Sequence, residues 1–128
     1  MTQEDKELLL KDLCTRLQYG VKIQVNDKIE SLEGINVLDN AVEYGSFLSS
    51  EIEEVKPYLF PLSNMTDEEW EDYQKIRMID WVHGDINGTF INASLIVDWL
   101  NRNHFDYRGL IEKGLAIDAT NLNIYTDL

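Results

Sequence analysis

Apolar positions recur every three to four residues at the start of the chain, where Leu9, Leu10, Leu13, Cys14 and Leu17 share one side of a helix. Thr2, ahead of Gln3, Glu4 and Asp5, supplies a hydroxyl cap and first-turn carboxylates that oppose the helix dipole. Gly20 offers a left-handed stop. The pattern predicts an amphipathic helix over about 3–18. From Val21 the period changes to two: Val21, Ile23 and Val25 alternate with Lys22 and Gln24, and Asn26-Asp27 provides a turn before Ile29 and Leu32 resume the alternation. The apolar stretch continues over 35–38, Tyr44 to Leu48 reads as another short strand, and Ile52, Val55 and Tyr58 suggest a last one ending at Pro57 or Pro61. Residues 21–61 are therefore expected to form a small antiparallel sheet of three to four strands.

Helical periods return in the second half. Thr66-Asp67-Glu68-Glu69 is a capping box, in which Thr66 caps the amide of Glu69 and Glu69 reaches back to the amide of Thr66. A helix over roughly 67–80 follows, with Trp70, Tyr73, Ile76 and Arg77 expected to face inward. Gly84 and Asn87-Gly88 break it, and a helix near 93–103 places Leu95, Ile96, Trp99 and Leu100 on one face. His104 to Asp106 ends that helix, and Tyr107 to Lys113 can form one more helical turn, stopped by Gly114. Strands in one block with helices on either side, and no repeat or linker, make a single α+β domain over 1–128, with two to three C-terminal helices.

Composition narrows the partners. The chain carries 24 acids against 11 bases, a net charge of −13, and acids outnumber bases in both halves. A surface of that sign repels phosphate backbones and anionic membranes and attracts basic proteins, and with no basic stripe direct nucleic-acid binding is disfavoured. Its cost-free use is solubility. Cys14 is the single cysteine, so no intramolecular disulfide can form, and its apolar neighbours make it a buried thiol. The N-terminus lacks the basic start and apolar run of a secretory signal and no apolar run spans a bilayer, so a cytoplasmic protein is expected, with oligomeric state open.

Candidate chemistry is sparse. The acids of 67–72 include the pairs Glu68 with Asp72 and Asp67 with Glu71 at helical spacing, which suit a hard cation, but the helix dipole already explains acids in a first turn. Asp80, His83, Asp85 and Asn87 crowd one loop and can be read as a metal site or an acid–base pair. Asp85-Ile86-Asn87-Gly88 nevertheless lacks the third acid and the closing Glu of a calcium loop, and Asn-Gly alone explains a turn. His104, Asp106, Tyr107 and Arg108 place ionisable, aromatic and basic groups together, as a pocket or as a polar junction after a helix. In the junction reading Asp106 caps the turn, Arg108 pairs with an acid and Gly109 permits close approach. Ser46, Ser49 and Ser50 lack the glycines of a nucleophile elbow, no glycine-rich phosphate loop exists, and no cofactor is implied.

Two segments carry a likeness. Lys11-Asp12-Leu13-Cys14-Thr15-Arg16-Leu17, followed by Gly20-Val21, and Asp98-Trp99-Leu100-Asn101 leading through His104-Phe105-Asp106-Tyr107-Arg108-Gly109 to Ala116, resemble small acidic uncharacterised proteins of gut-bacterial genomes, their phages and mobile elements. Val55-Lys56-Pro57-Tyr58-Leu59 and Met65-Thr66 share it, whereas 26–50 and 78–93 do not. The resemblance implies a bacterial or phage cytoplasm and an accessory role, and carries over no catalytic residue. Two functions remain in view: a non-enzymatic acidic protein that binds a basic protein partner, and a small enzyme or metal-binding domain using His83 or His104 with neighbouring carboxylates.

Overall fold

Both expected caps are present in the computed structural model, which describes residues 1–83 and 95–125, the side chains of 77–83 excepted. Thr2 Oγ1 accepts from the Asp5 amide at 3.1 Å and opens helix α1 (Gln3–Arg16), which runs into a 3-10 turn closed by Gly20 at φ +71°. Thr66 and Glu69 cap one another, at 2.9 Å from the Thr66 amide and 3.1 Å from the Glu69 amide, and open helix α2 (Asp67–His83).

Strands β1 (Lys22–Val25) and β2 (Lys28–Asn36) form the expected hairpin. Asn26 and Asp27 both take positive φ, 52° and 62°, as a two-residue turn matched to strand twist demands. Strands β3 (Ala41–Tyr44), β4 (Leu48–Glu51) and β5 (Lys56–Pro61) follow, the first two on the outer side of β2 and the last against β1. The segment 44–48, read from sequence as one strand, is instead the end of β3, a turn over 45–47 and the start of β4. Gly45, Ser46 and Phe47 all take positive φ, and Phe47 is fully exposed, so its hydrophobicity does not mark a buried strand.

The sheet is larger than the three to four antiparallel strands expected and is mixed, with seven strands. After a helix running through 95–102 (α3), two short strands, β6 (Phe105–Asp106) and β7 (Ile117–Asp118), return to pair β5 in parallel. Two-residue strands leave no alternation to read, which hides them in the sequence.

Packing assigns the faces. α1 lays Leu9 and Leu13 against Val21, Ile23, Val25, Leu32, Val42, Ile52, Val55 and Leu59, all buried, and Leu110, Leu115 and Ala116 close the same core. A second cluster joins Trp99, Leu100 and Phe105 to Phe60, Met65, Tyr73, Ile76 and Ile96, tying α2 and α3 to the far end of β5. Cys14 is exposed, contrary to expectation: the fully buried stripe of α1 is Leu9, Asp12, Leu13 and Arg16, with Leu10 and Leu17 packed partly buried against the core beside it. Trp70 is likewise half exposed (51%), while Tyr73 and Ile76 turn inward as predicted. Among the described residues no helix is long and apolar enough to cross a membrane.

Candidate functional site

Asp12 and Arg16 lie one turn apart on the buried face of α1, both with fully buried side chains. A carboxylate in that position needs partners on both oxygens. Oδ2 accepts from Arg16 Nε at 2.8 Å and Oδ1 from Arg108 Nη1 at 2.8 Å. Arg16 Nη2 donates onward to the Phe105 carbonyl at 2.7 Å, fixing the first residue of β6. The Tyr107 ring lies beside both guanidinium groups, 5.1 Å from Arg16 and 4.7 Å from Arg108, and its hydroxyl accepts from Arg108 Nη1 and donates to Asn101 Oδ1. Asp106 accepts from the amides of Leu110 and Ile111, at 2.9 and 3.0 Å.

Of the residues singled out in sequence, Tyr107 and Arg108 thus join a partly buried clamp between α1 and the segment after α3, and Asp106 caps the turn just beyond it. The junction reading holds for Asp106 as a cap and Arg108 as an ion-pair partner. Gly109 is corrected: its φ is +72° and nothing lies within 4 Å of where a Cβ would stand, so the glycine serves the left-handed backbone and not a close approach. The side chains of Asp80 and His83, and Asp85 and Asn87 altogether, lie outside the described residues.

His104 parts from its neighbours. Its backbone takes φ +62°, uncommon for a residue with a side chain, and the imidazole turns away from the clamp to stack on Tyr125, ring centres 3.7 Å apart and 15° from parallel. No hydrogen bond or ion pair joins it to Asp106. Burial, and then the charges of Arg16 and Lys22, push its pKa down from 6.5 to about 4, so the ring is neutral at physiological pH. Nδ1 is enclosed with no hydrogen-bond partner among the described residues.

Tyr125 is fixed by the sheet. β1 and β5 pair at Gln24 with Lys56 and Ile23 with Pro57, which makes Lys22 and Tyr58 the next opposed residues. The Tyr125 hydroxyl stands between them: it accepts from the Lys22 amide at 2.7 Å and donates to the Tyr58 carbonyl at 2.7 Å, in place of a direct ladder bond. Burial raises its pKa.

Two hollows flank this stack. One, of about 500 Å³, is bordered by Phe60, Asn103, Thr120 and Asn123; the other, of about 540 Å³, by Tyr19, Gly20, Lys22 and Ile124. Arg102, His104 and Tyr125 line both. Sequence reading found His104 and missed Arg102, Tyr125, Asp12 and Arg16 as parts of a site. The available signal was in α1, where opposite charges four residues apart interrupt an apolar stripe. Among the described residues, no three His, Cys, Asp or Glu side chains converge as a metal would need.

No family model matches the chain, and no curated protein or solved structure matches it either.

Proposed function

We propose that this is a non-enzymatic accessory protein of bacterial or phage origin that holds a basic protein partner against the first turns of α2. The observation that carries the reading is the position of Trp70. Half its surface faces solvent, on a helix start where Asp67, Glu68, Glu71 and Asp72 are all exposed. Its ring is not loose: it lies 5.8 Å from Tyr73, which lies 5.9 Å from Trp99, which stacks on Phe105 at 5.6 Å.

An anchored indole on a helix start rich in exposed carboxylates suits an arginine or lysine side chain. The ring face attracts the cation, and the surrounding acids steer it in and exclude like-charged competitors. Interface energy concentrates on such aromatic anchors, where truncation costs about 2 kcal/mol or more. The net charge of −13 adds long-range attraction that salt screens.

The test is capture of a basic protein from a lysate of the encoding organism, at low and then moderate salt, by the wild type beside Trp70→Ala and an Asp67→Lys/Glu71→Lys pair. Retention by the wild type, lost in both variants and weakened by salt, supports the reading. Equal retention by all three overturns it, as does the absence of any basic protein.

A further inference from the structure

The geometry points to a second site, independent of the acidic face: the double hollow around His104 and Tyr125 binds a small molecule bearing an oxyanion, with Arg102 as its counter-charge. Each hollow has the volume of a small-ligand site, and the two share a wall.

Charge gives the ligand its class. Acids outnumber bases 24 to 11 in the chain, yet among the described residues the hollow beside Tyr19 is lined by Lys22 and Arg102 and by no carboxylate. The single acid lining the other hollow among the described residues is Glu69, whose Oε1 is already held by the Thr66 amide. Among the described residues no carboxylate lies within ion-pair distance of Arg102, whose guanidinium is set 5.9 Å from the Tyr19 ring centre. An exposed arginine steered by an aromatic face and left without an acid presents its planar donor fork to a carboxylate or a phosphate.

The wall is built to stay in place. Tyr125 is pinned at its hydroxyl by two backbone groups, and His104, nine-tenths buried, is held flat against it on a left-handed backbone. Uncommon backbone conformations of this kind gather at ligand sites because the surrounding structure must hold them. A neutral imidazole adds apolar wall without a second full charge, its enclosed Nδ1 standing back from the hollows. Asn103 and Thr120 complete the polar rim of the hollow beside Phe60.

Phenyl phosphate, benzoate and phenol, titrated by NMR at pH 7 while the His104 and Tyr125 ring resonances are followed, separate the possibilities. Binding of either anion with phenol at least about tenfold weaker supports the site, since a charged hydrogen bond is lost. Tighter phenyl phosphate assigns a phosphate monoester, and tighter benzoate a carboxylate. Arg102→Gln, an exposed change expected to leave the melting temperature unaltered, should weaken the anion at least about tenfold, and Arg102→Lys should restore part of the affinity. Phenol binding as tightly as the anions, Arg102→Gln binding as tightly as wild type, or no probe shifting either ring overturns the proposal. None of these outcomes depends on the α2 surface.

Discussion

Asp12 and Arg108 meet at 2.8 Å across 96 positions of sequence, and through that contact the first helix holds the segment that follows the last one. Asp12, Thr15 and Arg16 stand on one side of this clamp and Asn101, Phe105, Tyr107 and Arg108 on the other. Removing the carboxylate leaves the Arg16 guanidinium, fully buried, with no counter-charge. Asp12→Ala is therefore expected to cost about 3–5 kcal/mol. Arg108 is partly exposed at 16%, and Arg108→Ala should cost less, about 1–3 kcal/mol. Thermal unfolding monitored by circular dichroism measures both. A melting temperature equal to the wild type in Asp12→Ala would show that the clamp does not hold the fold.

Asp106 acts one step further along. Its two oxygens take the amides of Leu110 and Ile111, and the Leu110 amide is buried. Asp106→Ala strands both donors and should destabilise by about 1–3 kcal/mol. Asp106→Asn keeps one acceptor and should lose about half as much. Urea midpoints for the pair give the comparison, and identical midpoints for the two variants would contradict the capping role.

The Tyr125 hydroxyl replaces a rung of the β1–β5 ladder, so its loss should be felt at the backbone. Tyr125→Phe keeps the ring stacked on His104 and removes the group between the Lys22 amide and the Tyr58 carbonyl. The expected cost is about 1–3 kcal/mol, with hydrogen exchange of the Lys22 amide faster by more than global destabilisation explains. Exchange at Lys22 unchanged relative to the rest of β1 would count against the bridge.

How far the sequence spoke can be judged from these same residues. Caps and turns were legible because their chemistry is local: Thr2, Thr66 with Glu69, Gly20 and Asn26-Asp27 each do what their side chains or their missing Cβ dictate within four residues. The β1–β2 hairpin was legible because one of its faces is buried. Cys14 was misplaced because apolar character alone fixes a helical stripe only when no charged residue claims it. In α1, Asp12 and Arg16 do claim it, and their reason for doing so lies 89 and 96 positions away, at Phe105 and Arg108. β6, β7 and the Tyr125 bridge escaped for the same cause, since each is made by a long-range pairing that leaves no periodicity. The candidate site was half visible: His104 stood out as an ionisable group, while nothing in the sequence singled out its partners Arg102 and Tyr125.

His104 also sets a pH dependence whose sign follows from its surroundings. Burial chiefly, with Arg16 and then Lys22, lowers its pKa from 6.5 in the unfolded chain to about 4 in the fold. Between those values the unfolded chain binds a proton that the folded protein refuses. Stability from this group is thus fully present above about pH 6.5 and is lost as pH falls toward 4, by up to about 3 kcal/mol. Carboxylates titrate in the lower part of the same range, so the comparison is internal: urea unfolding of wild type and His104→Gln at pH 7.5 and 4.5. The wild type should lose more stability than the variant on acidification, and its imidazole resonance should titrate near pH 4. Equal losses with an inflection near 6.5 would mean that the ring is open to water and that the Tyr125 stack does not shield it.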